Sequence, residues 1–138
     1  MLRFLYAYLL YTWGGMHRLF GNQNGVRHEH ERAVHYFGRA LEVDPSFRRV
    51  RLERGVLLYR ELGLLPEALA DFNALLDEDP VYADALLNRA LLFQQNGRYA
   101  DALADLDIYL QLPETYNSHH FREEATNIAS LLRELLND

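Results

Sequence analysis

The sequence contains no cysteine and no lysine among its 138 residues. The first absence removes disulfides, thiolate metal sites and cysteine nucleophiles, and leaves the redox compartment open. The second makes every one of the 14 basic residues an arginine, against 20 acids and a formal charge of −6. An acidic total argues against general nucleic-acid binding. A long apolar run is missing too: the uncharged stretch from Phe4 to Met16 is 13 residues and contains Gly14-Gly15, short of the roughly 20 residues that span a bilayer. An arginine precedes that run, but no small-residue cleavage pattern follows it. Nucleophile elbow, phosphate loop and dinucleotide fingerprint are all absent, so neither enzymatic activity nor a cofactor is expected.

What is present suits one compact domain over residues 1–138, with 49% hydrophobic residues to build a core. The charge is unevenly spread: residues 1–60 hold 10 Arg against 5 acids, and residues 61–138 hold 4 against 15. That polarity could steer a partner or favour head-to-tail contact between copies.

An internal repeat organises the chain. The segment LERGVLLYRELGLLPEALADFNALLDEDP from Leu52 to Pro80 recurs as LLNRALLFQQNGRYADALADLDIYLQLPE from Leu86, a shift of 34 residues. Leu52, Leu57, Leu58, Gly63, Ala68 and Asp71 find identical partners in Leu86, Leu91, Leu92, Gly97, Ala102 and Asp105. Each unit reads as two helices, because apolar residues recur three and four apart on both sides of a glycine break. Gly63 stops the first helix where a left-handed residue is wanted. Pro66 suits the first turn of the second, and Asp79-Pro80 ends it. An earlier unit shows its second half in Ala33, Phe37, Ala40 and Pro45, which places its first helix within residues 2–20 and makes GNQNG at 21–25 a linker.

These features resemble the tetratricopeptide repeat (TPR) family: the 34-residue period, small residues at Ala68, Ala90 and Ala102, aromatics at Tyr59, Phe72 and Phe93, and terminal Pro45 and Pro80. Val56 departs from the pattern where a small residue is usual, and Pro113 arrives one place early. The resemblance implies an all-α, TPR-like α-solenoid of about three helix pairs with a C-terminal capping helix. Its parts would be a divergent first helix and linker (1–27), repeats (28–113) and a cap (114–138). The cap carries Phe121, Ala125, Ile128, Ala129, Leu132 and Leu136 at helical spacing, with Asn117 or Ser118 as its N-cap.

The resemblance further implies a cytoplasmic scaffold or adaptor that holds a peptide or helical segment of a protein partner in a concave groove lined by the first helix of each pair. Carried onto this sequence, the groove is Val50, Glu53, Arg54, Leu57 and Arg60, then Asp84, Leu87, Asn88, Leu91 and Gln94. Leu57, Leu87 and Leu91 would suit an amphipathic ligand, with Arg54 and Asn88 holding backbone or carboxylate groups. Packing between helices is the competing role for these leucines. Family members that clamp a C-terminal carboxylate use lysines, and this chain has none, so such an adaptor is not expected.

The first helix stands apart. Leu5, Leu9, Trp13 and Phe20 form one stripe and Phe4, Tyr8 and Tyr11 another, so it is apolar on every side. One flank can pack on the first repeat. A second flank, with Phe4, Tyr8, Tyr11 and Trp13, is a candidate docking surface for a homo-oligomer, a larger complex or a membrane periphery. A divergent aromatic core is the alternative. His28, Glu31 and His35 share a helical face, yet His30 has Val34 rather than histidine four residues on, so no metal site is assigned.

Overall fold

A computed structural model describes residues 1–116 and 119–138, with side chains for 1–115 and 121–138; the N-cap positions expected at Asn117 and Ser118 lie outside the described residues. Seven α-helices follow one another among those residues: α1 (Leu2–Asn24), α2 (Arg27–Val43), α3 (Arg48–Arg60), α4 (Leu65–Glu78), α5 (Ala83–Gln95), α6 (Tyr99–Gln111) and α7 (His119–Asn137), the last preceded by a 3₁₀ turn at Glu114–Tyr116. Their contacts fall into two compact units, Met1–Asp71 and Phe72–Asp138, with the boundary inside α4.

In the first unit α1 packs along α2, and α2 on α3. Leu10, Phe37, Leu41, Val50 and Leu57 close into one apolar core, with Tyr11, Tyr36 and Phe47 packed against it. The run at 21–25 is not a linker. It forms the last turn of α1, because Gly25 at φ 65° takes the left-handed cap and donates its N–H to the Gly21 carbonyl. Gly14 and Gly21 make the close approach to α2. A Cβ on Gly14 would stand 2.7 Å from the buried Phe37 ring, and one on Gly21 would stand 2.5 Å from the His30 ring. Asn22 then reaches the same histidine, its Oδ1 2.9 Å from His30 Nε2.

The turns between later helices behave as the glycine breaks predict. Gly63 and Gly97 both hold positive φ, at 66° and 73°, where any other L-residue would be strained. Beyond Gly63 the Leu64 N–H returns to the Leu58 carbonyl, satisfying an end carbonyl of α3. In the second unit α5 packs on α6 and α6 on α7. Ala125, Ala129 and Leu132 of α7 are buried as expected, whereas Phe121 and Leu136, at the two ends of the expected apolar face, are exposed, as are Leu131 and Leu135. Arg122 donates to the carbonyls of Leu110 and Leu112 at 2.9 and 2.8 Å, tying the start of α7 to the end of α6.

The two adjacent glycines of α1 separate packing from propensity. Gly14→Ala must displace a buried ring and should cost about 1–3 kcal/mol. Gly15→Ala meets nothing within 4 Å and should stabilise by about 0.5–1 kcal/mol through helix propensity. Urea denaturation followed by circular dichroism reads both, and equal effects would remove the close-approach explanation.

Candidate functional site

The first-helix positions separate sharply once their surroundings are known. On α3, Val50 and Leu57 are part of the core of the first unit and offer nothing to a partner, which corrects their assignment to a groove. The helical wheel does not separate these positions, because arginines and apolar residues alternate around α3; the packing of α2 on α3 is what covers Val50 and Leu57.

Glu53 is also buried, and its carboxylate is fully engaged. It accepts from Arg49 Nε at 2.6 Å, from Arg18 Nη1 at 2.8 Å and from the Tyr11 hydroxyl at 3.1 Å. Burial, followed by the Glu53 charge, pushes the Tyr11 hydroxyl above its ordinary pKa. Arg49 is likewise raised, chiefly by its hydrogen bond to Glu53. A buried carboxylate with three donors holds α1 and α3 in register.

Arg54 is committed as well. Its Nε and Nη2 donate to the two oxygens of the buried Asp71 at 2.8 and 2.6 Å, a bidentate pair that raises the guanidinium pKa. It is therefore not a free receptor for a ligand carboxylate. Arg60 is exposed, with its Nε 2.8 Å from the neighbouring Tyr59 hydroxyl.

The second unit carries the same device one repeat on. Arg89 donates to both oxygens of the buried Asp105 at 2.7 Å each and to Asn73 Oδ1 at 2.8 Å, and the Asp105 hydrogen bonds raise its pKa. Asp71 and Asp105 are strict repeat equivalents, while Arg89 sits one place beyond the residue matching Arg54. That offset accompanies the displaced small residue at Gly55.

On α5 the groove positions stay accessible. Ala85, Leu86, Ala90, Leu92 and Phe93 are buried, whereas Asp84 is exposed and Leu87, Asn88, Leu91 and Gln94 are half-buried. These five recur at three- and four-residue steps and form one row along the helix. Asn88 donates its side-chain amide to the Asp84 carbonyl at 2.7 Å.

The proposed docking residues of α1 divide too. Tyr11 points inward, with its ring 5.9 Å from Phe37 and 5.4 Å from Phe47, and so leaves the docking surface. Phe4 stacks on Phe47 at 6.0 Å but remains exposed, as do Tyr8 and Trp13. The stripe read from the sequence as Leu5, Leu9, Trp13 and Phe20 is exposed, and sequence reasoning missed its remaining members, Leu2, Tyr6, Met16 and Leu19, which are exposed beside it. The signal was available in their heptad-like steps. Trp13, Met16, Phe20 and Val26 also line a surface cavity of about 460 Å³ edged by His17, Glu29 and Arg32. His17 Nδ1 lies 2.6 Å from Glu29, a hydrogen bond that lowers the Glu29 pKa.

His28 Nδ1 stands 3.9 Å from Glu31. Among the described residues no group of three or more His, Asp or Glu side chains could hold a metal ion.

The sequence profile described as Tetratricopeptide repeat matches residues 26–80 and 56–117. No curated protein matches the chain. Among solved structures, the first TPR of Spaghetti (RPAP3) bound to the HSP90 peptide SRMEEVD is similar in fold, with a TM-score of 0.77 and 20% identity over 96% of this chain and 94% of that one.

The Arg89–Asp105 pair gives a stability test. Asp105→Ala strands a largely buried guanidinium and should cost about 3 kcal/mol, while a paired replacement by Met and Leu should recover most of that loss. Chemical denaturation of the three proteins measures it, and a cost below about 1 kcal/mol for Asp105→Ala would show the pair to be dispensable.

Proposed function

This chain belongs to the tetratricopeptide repeat family, and on that premise we propose that it is a non-catalytic adaptor whose α5 row holds a peptide or helical segment of a protein partner. The observation that carries this reading is the exposure pattern of α5. Leu87 and Leu91 stay accessible between Asp84, Asn88 and Gln94, although the other apolar residues of the helix, Ala83, Ala85, Leu86, Ala90, Leu92 and Phe93, are buried. Two apolar anchors one turn apart, flanked by polar groups, suit an amphipathic segment.

The charge favours a neutral or basic ligand. Residues 72–138 hold 4 Arg against 12 acids, and Arg89 is already spent on Asp105. The structural neighbour binds an acidic peptide, but this row has no lysine and no uncommitted arginine to receive one. In this reading specificity comes from apolar fit and a surrounding negative field.

A second reading rests on α1. Its outward stripe of leucines and aromatics is larger than ordinary surface scatter, and it suits attachment of the protein to an assembly. Among the described residues no helix is long and apolar enough to cross a membrane. A cytoplasmic location is part of this proposal, with attachment through α1 as its peripheral variant.

Peptide-library selection on the purified chain tests the first reading. Wild-type protein should enrich apolar segments with basic flanks, and Leu87→Glu with Leu91→Glu should lose them by about 100-fold in affinity while keeping the helical circular dichroism signal. Retained selection by the double variant would move the binding surface away from α5.

A further inference from the structure

The outer stripe of α1 is an apolar surface whose extent and residue order bear on what covers it. Eight exposed apolar side chains lie within an arc of about 140° at 3.6 residues per turn. Along the helix Leu2, Leu5, Tyr6 and Leu9 lie in the N-terminal half, and Trp13, Met16, Leu19 and Phe20 in the C-terminal half. Laid antiparallel on itself about a point midway between Leu9 and Trp13, the stripe sets Leu2 against Phe20, Tyr6 against Met16 and Leu9 against Trp13. Leu2 against Phe20 and Leu9 against Trp13 each set a leucine against a large ring, which suits an interdigitated contact, and Tyr6 meets the adaptable thioether of Met16. The opposed helix dipoles favour the same direction.

We propose that the partner of this stripe is α1 of a second copy, forming an antiparallel two-fold dimer. The inference rests on the reading of α1 as a docking helix and names what it docks to. The area is sufficient: at 46–83% exposure, and taking roughly 200 Å² for a side chain of this size, eight residues present roughly 900 Å². One partner of a standard interface contributes about 800 Å². No charge stands on α1 between Phe4 and Met16, and Arg3 and Arg18 beyond its ends lie outside the arc of the stripe and donate within their own chain, to the Val43 carbonyl and the Glu53 carboxylate. The cavity beside Trp13 and Phe20 lies where the Leu2 end of the copy arrives.

A lipid surface fits less well. Interfacial helices flank their apolar face with cationic rows. Here Arg3 donates to the Val43 carbonyl and Arg39 to the Tyr6 hydroxyl, and the chain as a whole carries −6.

Sedimentation of the full-length chain at up to about 100 µM should show a dimer. Leu9→Glu with Trp13→Glu should weaken it about 100-fold or more, with unchanged circular dichroism because both residues are exposed. Leu5→Gln with Leu9→Gln provides a milder second variant should the first lose its fold. The cysteine-free background permits a directional test: a mixture of Leu2→Cys and Phe20→Cys proteins treated with a short bis-maleimide should cross-link heterologously. Leu2-to-Leu2 cross-links would overturn the antiparallel arrangement. A monomeric wild type would overturn the dimer. Flotation of that monomer with phosphatidylglycerol vesicles would then leave the docking helix intact with a lipid occupant. A dimer that persists in both variants would sink the proposal and the docking reading together.

Discussion

The absence of side chains at Gly14 and Gly21 sets the geometry of the first unit. Phe37 and His30 occupy the space where two Cβ atoms would stand, so α1 and α2 approach closely along one face of α1. Ala7 and Leu10 continue that buried face. A helix can present one side at short range only by turning the other away. The leucines and aromatics of the outer stripe are exposed because the glycine side is the one that fits. Dispersion and burial at the tight contact compensate the low helix propensity of the two glycines.

Buried charge completes what apolar packing begins. Glu53 gathers donors from Tyr11, Arg18 and Arg49, while Asp71 and Asp105 each take a bidentate arginine. Such groups add less to net stability than their contacts suggest, because desolvation offsets much of the attraction. They also define register, since a helix rotated by one position would leave a carboxylate buried and unpaired. The functional consequence is subtractive. Arg54 and Glu53, both plausible ligand contacts from their positions alone, are consumed by the fold. Of the groove positions, the accessible leucines are then those of α5, in a unit whose charge balance is acidic.

Much of the repeat was legible in the residues. The 34-residue shift, the turns at Gly63 and Gly97, Pro66 in the first turn of α4 and the apolar face of α7 all follow from local chemistry, and each recurs in the structure. The site was legible only in part. Helical spacing places Val50, Leu57, Leu87 and Leu91 on first helices without saying which are covered. Val50 and Leu57 meet the α2 side of their unit and join its core, whereas Leu87 and Leu91 keep partial exposure. GNQNG was misread because its glycines and asparagines disfavour helix, yet the Gly25 cap and the Asn22–His30 contact hold the run as the last turn of α1.

By itself the sequence determined the all-α class, the period, the turn positions and the lack of thiol and lysine chemistry, because these depend on backbone preference and residue type. Tertiary structure decided which polar residues are spent internally, which leucines remain accessible and which side of α1 faces out. Those outcomes depend on what lies within a few ångströms of each side chain, and residues such as Arg54 and Asp71, or Gly14 and Phe37, become neighbours only when the helices pack.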